Sequence, residues 1–421
     1  MKKLTGALLA LILIFSLSAC SLAGLSDLLD SVLEETEPRT PEASVLITEE
    51  PVTYGPYIFD RSNEIPASRH LKYYDLDDTQ KELYDRLIKG IANLELRIEI
   101  DPYWKAGEAD EAFTAVYEIL GNNNPEFFWY PPTSSRSTDS DGTYSVRFGY
   151  WVNGKLFKAE KDDSGEIVYP SEEEIAEAKA WIKTGLSAIR RVIYDLPIHA
   201  GMTAFELEVA VHDWLCDNIE YDKNAPNKSN MYGALVEGRA TCAGYSQAFE
   251  YIMRLMGIES LQYSGYLDED FDIGHAWSAV KLDGQWYQVD VTSDATAGKS
   301  ISEPRYHQYF NRTDEFMARN HTITEERLSW NPRIICGATR YDYYRRTDTY
   351  IMSDDDFASK APGIIAKARA AGAPTFELEF AQDWAAASEI SDKKKLIDKK
   401  YWNDITFYYL TDGTLVFGWF D

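Results

Sequence analysis

Cysteine is scarce in this chain: 421 residues hold four, Cys20, Cys216, Cys242 and Cys336. Cys20 closes an N-terminal leader, which leaves three in the body. An odd number excludes complete pairing within one exported chain, so at least one thiol stays free. Cys216, in an amphipathic helical pattern, and Cys336, near the end of the core, have the character of small buried apolar residues. A Cys216–Cys336 disulfide stays open, because sequence does not give the separation of their Cα atoms. Basic residues are also short, 42 Lys and Arg against 69 Asp and Glu, for a net charge of −27. A surface of that sign repels phosphate backbones and anionic lipid, which excludes nucleic acid as a partner. No apolar run after the N-terminus is long enough to span a bilayer, so the body is expected to be soluble. There is no internal repeat and no low-complexity tract.

What is there begins with the leader. Lys2 and Lys3 precede an apolar run from Ala7 to Phe15, then Leu17-Ser18-Ala19-Cys20. That order is a secretory signal, and its end resembles a bacterial lipobox. The expectation is a lipoprotein signal peptide over 1–19, removed to leave Cys20 as the lipidated first residue, with the protein extracytoplasmic and held to the membrane by acyl chains. Residues 20–66 are rich in Glu and Pro and read as a tether. Within it, Leu22–Leu33 can form one short amphipathic helix.

Helical spacing over Thr79–Leu94, a second helix over Asp110–Leu120, strands at Tyr144–Tyr150 and Trp151–Lys158 around Asn153-Gly154, and a helix over Ser171–Val192 make an α+β unit over 67–195. Its aromatic run, Phe127 to Tyr130, suits either a sugar-stacking platform or a packed core, and core is the preferred reading. A core unit follows over 196–340. At the C-terminus, over 346–421, helices at Asp354–Ala371 and Trp384–Asp398 alternate with strands at Thr375–Phe380, Ile405–Leu410 and Thr414–Phe420, the last two flanking Asp412-Gly413. This is a small α+β domain with no assigned chemistry.

The middle unit carries the chemistry. Helical spacing over Thr203–Asn218 is followed by Ile219-Glu220-Tyr221-Asp222. Gly238-Arg239-Ala240-Thr241-Cys242-Ala243-Gly244-Tyr245 then leads into a helix running to Gly257. Thr241 is the expected cap and Cys242 falls in the first turn. There the positive end of the helix favours a thiolate, and its free amides can hold an oxyanion. Ser260–Leu267, Gly274–Leu282 and Gln285–Thr292 read as strands, the last two joined by the hairpin signal Asp283-Gly284. A symmetric turn puts Trp277 opposite Asp290, so His275 and Asp290 become diagonal neighbours on one face. A one-residue slip would separate them. Nucleophile, base and orienting carboxylate are thus the minimal set for thiol acyl transfer. His212 and Cys216 have i, i+4 metal-ligand spacing, but no further Cys or His cluster lies nearby in sequence, and they are read as structural. No cofactor and no metal is expected.

Gly-x-x-x-Cys-x-Gly-Tyr, His275-Ala276-Trp277 and Val289-Asp290-Val291-Thr292 resemble the transglutaminase-like superfamily. His212-Asp213-Trp214-Leu215, Tyr232-Gly233-Ala234-Leu235 and Trp286-Tyr287 are similar to its flanking segments. The resemblance covers roughly residues 200–330. It implies an α+β, papain-like core in which a helix carrying Cys242 packs on an antiparallel sheet carrying His275 and Asp290. It further implies Cys242 as nucleophile, His275 as base and then acid, and Asp290 as the group that holds the imidazole. Ser293 stands where members often carry Trp, and the second oxyanion donor is unassigned. The implied activity is thioester formation from a glutamine side chain or a peptide bond of a protein or peptide substrate, resolved by water or an amine. A non-catalytic surface lipoprotein that uses the same cleft for peptide or cell-wall recognition stays open.

Overall fold

Side-chain caps start the helices where the sequence places them. The computed structural model describes residues 73, 76–100, most of 113–120, 124–130, 133–138, 143–199, 201–267, 273–296, 307–323, 334–381, 394–409 and 415–420. Helix α1 (Asp78–Ala92) opens on an Asp77/Gln80 capping box, α2 (Glu172–Tyr194) on Ser171/Glu174 and α3 (Ala204–Asn218) on Thr203/Glu206. Each box satisfies two amides that a helix start leaves without partners. The leader, Cys20, the tether and the Leu22–Leu33 helix lie outside the described residues.

Between α1 and α2, strands β1 (Arg97–Glu99), β2 (Thr133–Thr138), β3 (Tyr144–Val152) and β4 (Lys155–Phe157) form an antiparallel sheet in the order β1-β3-β2, with β4 on β3. Asn153 and Gly154 turn β3 into β4 with φ of 50° and 73°. Residues described between 113 and 120 are helical. Phe127, Phe128 and Trp129 are buried, so this run fills the core rather than forming a sugar platform. The Phe128 ring lies 5.3 Å from that of Trp181 on α2 and 5.1 Å from that of Tyr232 on α4 (Met231–Leu235). One hydrophobic cluster runs from Leu83 and Ile91 through Phe148 and Ile189 to Phe249 and Val289.

After α3, β5 (Glu220–Tyr221) pairs in parallel with β6 (Arg239–Ala240), which delivers the chain to α5 (Cys242–Leu255). Helix α5 is buried on nearly every side and packs against the sheet of β7 (Ser260–Leu267), β8 (Ile273–Leu282), β9 (Gln285–Val289) and β10 (His321–Thr322). The order is β9-β8-β7-β10, antiparallel throughout. Asp283 and Gly284, with φ of 48° and 75°, have the signs of a type I′ turn, whose twist suits a two-residue hairpin. Pairing of Ser278 with Val289 is the expected register. One strand is shorter than its sequence suggests. The β-branched Val291 and Thr292 extend the strand pattern, but the strand ends at Val289 and Val291–Thr296 is a helix, α6. Asp290 ends the ladder by donating its amide to the Tyr309 carbonyl (3.0 Å) and accepting the Ser293 amide on Oδ1 (3.0 Å).

Beyond two one-turn helices, α7 (Asp314–Met317) and α8 (Tyr343–Arg346), the C-terminal residues form β11 (Tyr350–Ile351), α9 (Asp354–Ala370), β12 (Thr375–Phe380), β13 (Ile405–Tyr409) and β14 (Leu415–Phe420). Their sheet has the order β11-β12-β14-β13. The helix expected over Trp384–Asp398 falls mostly outside the described residues; Lys394–Leu396 is a single 3₁₀ turn. Asp412-Gly413 also lies outside them. Cys216 and Cys336 are buried in different clusters and form no disulfide with each other, which closes the open pairing. No helix among the described residues is long and apolar enough to cross a membrane.

Candidate active site

Three short segments converge where α5 meets the sheet, and each motif residue has a job there. Thr241 is the N-cap of α5 by position, but its hydroxyl donates to the Lys228 carbonyl (3.2 Å) and caps nothing, a departure from the expected cap. The hydroxyl therefore leaves the first-turn amides beside Cys242 alone. Gly244 lets this helix start press on the loop before it: a Cβ there would sit 2.7 Å from the Lys228 carbonyl oxygen and 2.7 Å from the Ala240 Cβ. Tyr245 is buried, and its hydroxyl donates to the Ile219 carbonyl, tying α5 to the exit of α3.

His275 and Asp290 meet as the register requires: His275 Nε2 lies 2.7 Å from Asp290 Oδ2. The other ring nitrogen is then left for the Cys242 thiol, to which the imidazole is hydrogen-bonded. Burial raises the Cys242 thiol, but His275 and the Ala276 amide outweigh it and hold the thiol below its ordinary value. His275 moves the other way. Burial alone would lower it, yet Asp290 and Cys242 raise it to about 10. These opposed shifts favour transfer of the thiol proton to the imidazole. The dominant favourable partner of the thiolate is His275.

Asp290 is held more elaborately than its motif reveals. Its Oδ2 accepts from His275, from His321 Nε2 (2.9 Å) and from the Ser293 hydroxyl. Burial would raise this carboxyl, but His275 and His321 hold it well below the usual carboxylate range. Ser293, the departure from the family pattern, thus serves as an anchor for the carboxylate. Trp277 walls the site, its ring 6.0 Å from His275 and 5.0 Å from His321, with Nε1 donating to Gln288 Oε1 (2.7 Å).

His321 is the functional residue that sequence reasoning missed. It comes from the two-residue edge strand β10, and β10 has room to approach because Gly265 faces it; a Cβ on Gly265 would lie 2.5 Å from the Thr322 carbonyl oxygen. The one available signal was a histidine beginning an alternating His-Thr-Ile-Thr segment. A buried hydrogen bond to a charged group is worth about 1.5–3 kcal/mol, so His321→Ala should slow Cys242 alkylation and acyl transfer by about tenfold or more. His321→Gln keeps a donor and should recover most of the loss. Equal rates in wild type and His321→Ala would reduce His321 to a packing residue.

Two groups of metal-ligating side chains occur among the described residues: His275, Asp290 and His321, and His212, Asp213 and His307. Hydrogen bonding within the thiol site already occupies the first. The second corrects the reading of His212 as a residue without a cluster nearby, because the fold supplies His307 from 95 positions away in sequence. Cys216 is not part of it. Its Sγ lies 4.0 Å from His212 Nδ1 and 3.8 Å from Nε2.

Residues 197–291 match the transglutaminase-like superfamily. They form a transglutaminase-like core. The match ends one residue after Asp290, so it contains Cys242, His275 and Asp290 and stops short of Ser293 and His321. The chain is similar to the kyphoscoliosis peptidase of Homo sapiens, 30% identical over 125 residues, 26% of this chain and 18% of that protein. The Mus musculus kyphoscoliosis peptidase is 29% identical over 135 residues, 28% of this chain and 20% of that protein. The chain thus spans about a fifth of the length of these curated relatives. Among solved structures, a TGase crystal structure aligns with TM-score 0.24 and 16% identity over 42% of this chain and 47% of that one. The periplasmic domain of TgpA from Pseudomonas aeruginosa aligns with TM-score 0.18 and 16% identity over 41% and 65% of the respective chains.

Proposed function

We propose that this protein is a membrane-anchored, extracytoplasmic thiol acyltransferase or cysteine protease/amidase that uses Cys242, His275 and Asp290. The observation that carries the reading is the hydrogen-bonded line from the Cys242 thiol through His275 to Asp290 Oδ2 at 2.7 Å, with the thiol lowered and the imidazole raised. The Cys242 thiolate attacks an amide carbonyl carbon of a protein or peptide, and the C–N bond breaks as the His275 imidazolium gives its proton to the leaving amine. A thioester is left on the sulfur. Now neutral, His275 takes a proton from water or from a second amine, which attacks the thioester and releases an acid or a new amide.

The developing oxyanion is held by the α5 start and by Tyr221. That tyrosine stands on β5, the strand beside the segment entering α5, and is 37% exposed. Burial and the charges of Cys242 and Asp290 raise its phenol, which keeps it protonated as a donor. Cys20 carries the lipid anchor, and residues 20–66 give the core reach from the membrane or toward the cell wall. Mass spectrometry of peptides and surface proteins incubated with wild type and with Cys242→Ala tests the reading. Cleavage, deamidation or amine incorporation in the wild-type sample alone supports it. Identical spectra would remove the enzymatic reading for those substrates.

A further inference from the structure

We propose that His212, Asp213 and His307 bind one divalent transition ion of the zinc class, at a site separate from the thiol centre. His212 and Asp213 come from α3, His307 from the loop before α7. Asp213 Oδ1 lies 3.2 Å from His212 Nδ1 and 2.9 Å from His307 Nε2. Ligand atoms that share an ion at roughly 2.0–2.2 Å stand roughly 3.0–3.5 Å apart, so little movement would be needed to seat one.

The outer shell is already in place. His212 Nε2–H donates to Asp294 Oδ2 (3.2 Å) and His307 Nδ1–H to Glu377 Oε1 (2.8 Å). Each carboxylate is itself fixed, Asp294 by the Tyr309 amide (3.0 Å) and Glu377 by the Tyr344 hydroxyl (2.7 Å). A ligating histidine commonly gives its other N–H to a carboxylate in this manner, which sets the tautomer and strengthens the ligand. The His307 ring is further oriented by Tyr343, stacked at 3.6 Å and 2°.

With the outer N–H groups committed, two ring lone pairs and a carboxylate oxygen converge, and something positive must lie among them. Three carboxylates face the rings, Asp213, Asp294 and Glu377, of which Asp294 is fully buried; ionised, they carry −3 when both rings are neutral. Two added protons or one divalent ion bring the cluster to the same −1. Two imidazolium rings, however, would stack 5.2 Å apart with like charge in a buried site, whereas an ion leaves both rings neutral. His212 and His307 side chains are 0% and 4% exposed, and Asp213 is 20% exposed, so entry and a fourth, water ligand belong on the Asp213 side. Such an ion would join α3 to β12 through Glu377 and to α6, the helix that follows Asp290, through Asp294.

The test uses the full-length protein stripped with a chelator and titrated with Co²⁺, then Zn²⁺. Wild type should take up one equivalent, with Co²⁺ showing the absorption of a four-coordinate nitrogen and oxygen site that Zn²⁺ then displaces. Asp213→Asn should lose that uptake. Glu377→Gln, which touches only the outer shell and keeps the proposal testable should Asp213→Asn not fold, should weaken binding about 10–100-fold. His275→Gln should bind as wild type does. No stoichiometric uptake by folded wild type would overturn the proposal, as would unchanged affinity in Glu377→Gln. Binding lost in His275→Gln and kept in Asp213→Asn would place the ion on the thiol centre and equally overturn it.

Discussion

Cys242→Ala is expected to abolish acyl transfer, leaving product formation at the level of a protein-free control. No other group among the described residues combines the three properties the step needs. Cys242 is partly accessible, its thiol is lowered, and it is bonded to a base. Cys216 and Cys336 are buried and their thiols are raised, Cys216 by desolvation and Cys336 by desolvation and then Asp314. Neither can stand in for the missing nucleophile. Because the side chain lost is small and lies at a helix start, where alanine is tolerated, the variant should fold with an unchanged circular dichroism spectrum. Full activity in a folded Cys242→Ala protein would transfer the chemistry elsewhere.

Asp290→Asn should lower the acyl-transfer rate by roughly 10³–10⁴-fold while changing the volume of the side chain little. The aspartate is fully buried, and its negative charge is what raises His275. An amide removes that charge, so the Cys242 proton returns to sulfur and the imidazolium collapses. The amide also fails as an acceptor at one end, since Oδ1 takes the Ser293 amide while Oδ2 takes His275, His321 and the Ser293 hydroxyl. Either orientation turns its NH₂ group toward a donor. The pH profile of wild type should be bell-shaped. Activity rises as pH passes the lowered thiol value and falls above about 10, where His275 loses the proton it must give to the leaving amine. The same shift bears on stability. A raised histidine contributes fully below its unfolded value and loses that contribution as pH rises through about 10. Asp290→Asn should move the alkaline limb toward neutrality, and a profile identical to wild type would contradict the role given to the carboxylate.

How much of this was legible in the chain depends on the range of the contact. The Asp283-Gly284 turn fixes the β8–β9 register within a few residues, and a period of two then decides which side chains share a face. His275 and Asp290 could therefore be paired from sequence. Helical spacing likewise located α1, α2 and α3, whose starts the capping boxes fix. The end of β9 was illegible, because Val291 and Thr292 favour a strand while the bonds that stop it run to Tyr309. His321, 31 residues beyond Asp290, depends on a two-residue edge strand whose placement only the folded sheet determines. The same holds for His307, which reaches Asp213 from the loop before α7 and is itself held by Glu377 on β12. Local patterns carried the thiol, the base and the carboxylate, whereas long-range packing supplied the groups that hold the carboxylate.

The most direct test is an ultraviolet titration of thiolate in wild type against Cys242→Ala, followed by peptide mapping after limited alkylation. A thiolate that forms below the pH of an ordinary thiol in wild type and is absent from Cys242→Ala is expected, with Cys242 labelled well before Cys216 and Cys336. A difference spectrum that develops only at the pH of an ordinary thiol, with slow and equal labelling of all three cysteines in folded protein, would contradict an activated Cys242.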